Sequence, residues 1–183
     1  MKYLLSLFII IFFTSCSVKY SSTSSLQIKD DINKIEQLNK DILSLSKKID
    51  KDESKKIAQI AILYSKQLAN EYDLVTPPLY HNSLVQAGLR KRGLCFHFAQ
   101  DLIDKLKKQN LKTLDLRWVV HAKKDYWEHS SIVISFKGKP IQDGIILDAW
   151  RNSGKLYWNN FGQDIRYTWI EDIQRSKLFG TIN

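Results

Sequence analysis

The hydrophobic period of the chain changes once, near residue 108, and that change constrains the fold more than any other feature. Upstream, apolar residues recur every three or four positions. Ile28, Ile32, Ile35, Leu38, Ile42, Leu45 and Ile49 mark one helical stripe over residues 26–49. Ile57, Ile60, Ala61, Tyr64 and Leu68 mark a second over 53–72, closed by Thr76-Pro77-Pro78. A short helix is expected over 80–89. Another is expected over 95–108, with Phe98, Leu102, Ile103 and Leu106 on its buried side. Downstream the pattern shortens to strand-like runs at 114–120, 130–136, 144–148 and 155–158, with a further one at 167–170. Gly138-Lys139-Pro140 and Asn152-Ser153-Gly154 supply turns between them. Helices first and strands second predict an α+β fold, with N-terminal helices and one later helix packed on an antiparallel sheet. The 26–49 stripe could also serve as a dimerisation arm, but it is short and its phase slips at Leu38, which favours packing on the domain.

The N-terminus reads as an export segment. Lys2 precedes an apolar run over 3–13 interrupted only by Ser6. The run is shorter than the roughly 18 residues a spanning helix needs. It ends in Phe13-Thr14-Ser15-Cys16, which resembles a bacterial lipobox with Cys16 as the lipid-modified first residue of the mature chain. Residues 1–15 are therefore expected to be a signal peptide and 16–25 a lipidated, serine-rich tether. Residues 26–74 would form a helical region and 75–183 a catalytic core. The expected location is the cell envelope, on the periplasmic face of the outer membrane in a two-membrane host.

A formal net charge of +9 is spread over short basic pairs such as Lys47-Lys48 and Lys123-Lys124 rather than gathered in a stripe. Export and the absence of a groove-reading or RNA-binding motif argue against nucleic acid as a partner. Solvated helix faces explain most of these lysines, with an anionic surface or acidic substrate as the alternatives.

With Cys16 consumed by lipid, Cys95 has no disulfide partner, and an unpaired thiol in an exported protein calls for a reason. It follows Gly93 and Leu94 and opens the 95–108 helix, where unpaired amides favour the thiolate. His129 lies 34 residues on, at the start of a strand, and Asp148 another 19 on, inside the apolar run 145–150. A carboxylate there is costly unless paired, and holding an imidazole would pair it. These three are the candidate catalytic residues: nucleophile, base and orienting carboxylate. His121 is the rival base, since a hairpin of 114–121 with 129–136 would place it beside His129. Asp143 precedes a turn glycine and is the weaker carboxylate. Arg151 or Arg117 could instead be the partner of Asp148. His97 falls on another side of the helix, and nothing singles out His81. Arg90-Lys91-Arg92 would add positive potential near the thiol. The backbone amide of Cys95 would be one oxyanion donor, with a group near residues 80–82 as a guess for the second. No CxxC, HExxH or phosphate-binding glycine pattern is present, so no metal or cofactor is expected.

Gly93-Leu94-Cys95-Phe96-His97-Phe98-Ala99, His129 opening a strand and Asp148 in Ile-Leu-Asp-Ala-Trp together resemble the transglutaminase-like superfamily, in particular its bacterial cysteine-proteinase branch. The resemblance covers roughly residues 75–160. It implies a papain-like core and acyl transfer through a thioester, with an envelope protein or a peptidoglycan stem peptide as substrate and hydrolysis favoured over transamidation. Many members of that superfamily carry an aspartate where this chain has His97. NlpC/P60 peptidases share the Cys–His logic but differ in the residues around the cysteine. A catalytically silent binding lipoprotein on the same fold is the alternative from another class.

Overall fold

The computed structural model describes residues 25–179. The export segment, Cys16 and the tether up to residue 24 lie outside the described residues. The architecture is α+β: helices α1 (Ser25–Ser44), α2 (Lys51–Glu71), α3 (Pro78–Gln86) and α4 (Cys95–Lys107) precede a five-stranded sheet. The strands are β1 (Leu114–His121), β2 (His129–Phe136), β3 (Ile145–Asp148), β4 (Tyr157–Asn160) and β5 (Ile170–Glu171). They lie in the order β4-β3-β2-β1-β5, and every pairing is antiparallel.

The first helical stripe does not run to residue 49. α1 stops at Ser44, whose hydroxyl donates to Asp41 O, and the chain turns so that Asp50 caps α2 by accepting from Glu53 N–H at 2.8 Å. Ile49 is still buried, from the loop rather than the helix. Leu38 and Ile42 are fully buried within the main core, whereas Ile28 and Ile32 near the start of α1 are exposed. α2 ends at Glu71, before the prolines, where Asp73 takes φ 49° and Leu74 N–H donates to Ala69 O. The strands expected at 155–158 and 167–170 form two or three residues later. A last helix, α5 (Ile173–Leu178), was not foreseen; Asp172 caps it.

β2 is the central strand, and seven of its eight residues are buried. Its two faces belong to two cores. On one, Ile132 and Ile134 join Phe98, Leu102, Ile103 and Leu106 of α4 and the apolar stripe of α2. On the other, Val133 meets Val119, Ile146, Ile141 and Trp169. Each fully buried aliphatic side chain contributes about 1.5–3 kcal/mol relative to exposure. The larger core therefore fixes α4, and with it Cys95, against the strand that begins with His129. A carboxylate adds a tie at the far end: Glu53 accepts from Lys112 N–H, Thr113 N–H and the Thr113 hydroxyl, joining the start of α2 to the approach to β1.

Candidate active site

Cys95 is the first residue of α4, and the loop before it is held by two histidines. His81 is fully buried. Its Nδ1 accepts from Val75 N–H at 3.2 Å, so the ring proton sits on Nε2, which donates to Arg92 O at 2.8 Å. Gly93 follows at φ 120°, a conformation open only to glycine in practice, and a Cβ there would lie 2.1 Å from His81 Nε2. Gly93→Ala is expected to cost about 3 kcal/mol through overpacking and backbone strain, lowering the Tm by roughly 10 °C in a thermal melt. His97, one turn into α4, accepts from both Gly93 N–H and Leu94 N–H through Nδ1, each at 3.2 Å. Burial, then the Arg92 charge, lower its pKa to about 4, so it works as a neutral acceptor. Both histidines thus shape the loop that carries the thiol.

β2 and β3 bring the other two residues to that helix end. Pairing of Ile132 with Leu147 sets the register that places His129 and Asp148 together. His129 Nε2–H donates to Asp148 Oδ2 at 2.6 Å, with both residues almost wholly buried. Asp148 has further donors: Trp150 N–H and Arg151 N–H to Oδ1 at 3.0 and 3.2 Å, and Arg151 Nε to Oδ2 at 2.7 Å. Burial would raise its pKa, but His129 and Arg151 outweigh this and hold it below the ordinary carboxylate range. The carboxylate is therefore ionised at neutral pH. The sequence left His129 and an arginine as competing partners for Asp148. The folded chain gives it both, the arginine being Arg151, while Arg117 pairs with Asp115 and Glu171.

Nδ1 of His129 is buried and makes no hydrogen bond of ordinary length among the described residues. With Nε2 committed to Asp148, it is the nitrogen left for Cys95, which lines the same cleft. The thiol, half-buried, points its sulfur at Glu128 O 3.9 Å away. Burial lowers the His129 pKa, Asp148 and then Cys95 raise it, and the result is about 9. The imidazole is thus protonated across the neutral range. Because folding lifts this pKa from 6.5 to about 9, the stability it contributes is complete below 6.5 and is lost as pH rises through about 9. Urea unfolding at constant ionic strength is expected to show that decline between pH 7 and 10, and to lose it in His129→Ala.

Aromatic rings enclose the imidazole. Tyr167, Trp150 and Trp169 have centroids 4.6, 4.8 and 5.3 Å from it. Arg151 lies between Tyr157 and Tyr167, at 3.8 and 4.7 Å from their ring centres, and also binds Asp164. His121 faces His129 across β1 and β2 and lines the cleft, but its Nδ1 is engaged with the Thr168 backbone. No hydrogen bond joins it to Cys95 or Asp148 among the described residues. Asp143 is exposed before Gly144. Arg92 and Arg90, expected to add potential at the thiol, are spent on Asp101 and Asp73. The cleft cation without a carboxylate partner among the described residues is Arg166, next to exposed Tyr126, Trp127 and Leu79. No three His, Cys, Asp or Glu side chains among the described residues converge to hold a metal ion.

The residues that sequence reasoning did not assign to the site are Trp150, Tyr167 and Trp169, together with the role of Arg151 as a second counter-ion; Asn82 belongs to the 80–82 segment guessed for the second oxyanion donor, and it lines the cleft. An aspartate at a strand end before a turn is the available signal for Trp150 and Arg151, because such a side chain accepts from the amides two and three residues on.

No family model, curated protein or solved structure matches this chain.

Proposed function

We propose that this protein is a lipid-anchored cysteine hydrolase of the cell envelope, of transglutaminase-like type, cleaving an amide or peptide bond through Cys95, His129 and Asp148. The observation that carries the reading is the bifunctional placement of His129: Nε2 held by an ionised, buried Asp148 and Nδ1 left toward a thiol at a helix N-terminus. A structural ion pair alone would give no reason for the sulfur to share the cleft.

The chemistry follows from the proton positions. The Cys95 thiolate adds to the amide carbon, and the carbonyl π pair moves to oxygen. Collapse reforms the carbonyl and breaks the C–N bond, while the His129 Nδ1 proton goes to the leaving amine. The thioester remains. Water then attacks it, His129 takes the water proton, and the thiol leaves as thiolate. Asp148 keeps the ring oriented and offsets its charge throughout. The exposed aromatic rim and Arg166, which lies over the Tyr167 ring and has no carboxylate partner among the described residues, support a polypeptide or stem-peptide substrate carrying a carboxylate, since Arg166 could bind one without breaking an internal ion pair. The lipobox-like Cys16 supports an anchor.

Incubation with envelope proteins and with purified peptidoglycan, followed by mass spectrometry, tests the reading. New amine termini and an acyl adduct on Cys95 in acid-quenched samples, both absent in Cys95→Ala, are expected. Identical digests from the two proteins would overturn it and favour a binding module. Because the leaving amine needs the imidazolium proton, turnover is also expected to fall as pH rises through about 9.

A further inference from the structure

We propose that Asn82 is the second oxyanion donor of this site; the inference rests on the cysteine-hydrolase reading above. The indole Nε1–H of Trp150 lies 3.3 Å from one end of the Asn82 amide, and an indole can only donate. The end facing it is therefore the oxygen, which fixes the amide orientation by chemistry. The NH2 end is then turned away from Trp150 and has no partner among the described residues. Asn82 and Cys95 line one cleft, Asn82 from α3 and Cys95 from the start of α4.

Two kinds of donor thus line the cleft of the thiol. Cys95 is the first residue of its helix, so its N–H has no acceptor within the helix. The Asn82 amide adds a donor from another element, held by a residue that also binds the triad: Trp150 donates its backbone N–H to Asp148 and its ring packs on His129. When the thiolate adds to a carbonyl, a C–S bond forms, the C=O π bond breaks and its pair becomes an oxyanion. Asn82 Nδ2–H and Cys95 N–H donate to that oxygen, and both hydrogen bonds weaken when the C=O bond reforms. Because Trp150 holds the Asn82 amide and the helix end holds the Cys95 N–H before substrate arrives, little reorganisation accompanies the step.

The test uses full-length protein with Cys16→Ser, which leaves Cys95 as the only thiol. The probes are a peptide aldehyde, acetyl-Leu-Leu-norleucinal, and iodoacetamide. Addition of the thiol to the aldehyde gives a tetrahedral thiohemiacetal whose oxygen occupies the oxyanion position. Alkylation forms a C–S bond with loss of iodide and builds no such oxygen. Aldehyde affinity is read relative to the alkylation rate of the same protein, so changes in thiol ionisation cancel.

Asn82→Ala and Asn82→Asp are both expected to weaken relative aldehyde affinity by roughly a hundredfold. The aspartate keeps an acceptor for Trp150 but offers no donor. Unchanged affinity in both variants would overturn the inference. So would loss in Asn82→Ala alone, which would assign Asn82 to holding Trp150. Absence of an aldehyde adduct in the parent, with alkylation still dependent on His129, would reject the oxyanion assignment and leave the hydrolase reading standing. Alkylation independent of His129 would instead count against the hydrolase reading, whatever Asn82 does.

Discussion

Replacing His129 by alanine is expected to lower turnover by on the order of 10⁴-fold or more while leaving the fold intact. The kinetic loss is large because one ring does two jobs, pairing with the attacking sulfur and delivering a proton to the leaving amine; members of such a unit are not replaceable singly. The fold should survive because Asp148 keeps Arg151 as a counter-ion and two backbone amides as donors when the imidazole is gone. Steady-state kcat/KM on the identified substrate, with circular dichroism on the same sample, checks both parts. Turnover within tenfold of the parent would remove His129 from the mechanism.

Asp148→Ala is expected to damage stability more than His129→Ala does, because it takes the partner from two buried cations rather than one. The carboxylate is the common partner of the buried His129 ring and the Arg151 guanidinium, whose side chain is only 4% exposed. Its removal leaves Arg151 with Asp164 alone and leaves the buried imidazolium with only Cys95 beside it, a loss of about 3–5 kcal/mol by analogy with other broken buried pairs. The His129 pKa, raised by Asp148, would fall toward the value burial favours. Asp148→Asn keeps the volume but presents an NH2 or a weaker acceptor to both Nε2 and Arg151, and is expected to cost about 10⁴ in kcat. Thermal melts and single-turnover kinetics on both variants check this. Asp148 itself contributes stability above the ordinary carboxylate range, which is lost as the pH falls through its depressed pKa.

Hydrophobic period alone located α2, α4, β1 and β2 to within about two residues, since each has a long apolar pattern tied to one core. It failed where the periodic signal crossed a turn. Leu45 and Ile49 continue the α1 stripe in sequence, yet they pack from a loop, because Ser44 and Asp50 satisfy backbone groups that end one helix and start the next. Two short strands, β4 and β5, shifted for the opposite reason: only two to four residues pair, too few to set a period, and β5 pairs with β1 about fifty residues upstream. In the site, residue type, order and spacing, with a family resemblance, pointed to Cys95, His129 and Asp148, and the fold brings His129 onto Asp148 and into the cleft that Cys95 lines. The preference for His129 over His121 rested on position alone, and the fold supplies the reason, since His129 meets Asp148 and His121 meets the Thr168 backbone. The roles of His81 and His97 were not legible. Both depend on which backbone amides a loop turns toward an imidazole, and no local pattern encodes that. Nor could sequence orient Asn82, whose amide is fixed by a tryptophan 68 residues away.

The most direct test of the central claim is the pH dependence of Cys95 alkylation by iodoacetamide, in Cys16→Ser protein with and without His129→Ala. A free thiol loses reactivity about tenfold for each pH unit below its ionisation. The account predicts a shallow profile from pH 8 down to pH 6 in the parent, and a steep decline once His129 is removed. Steep and superimposable profiles in the two proteins would contradict an assembled Cys95–His129 pair.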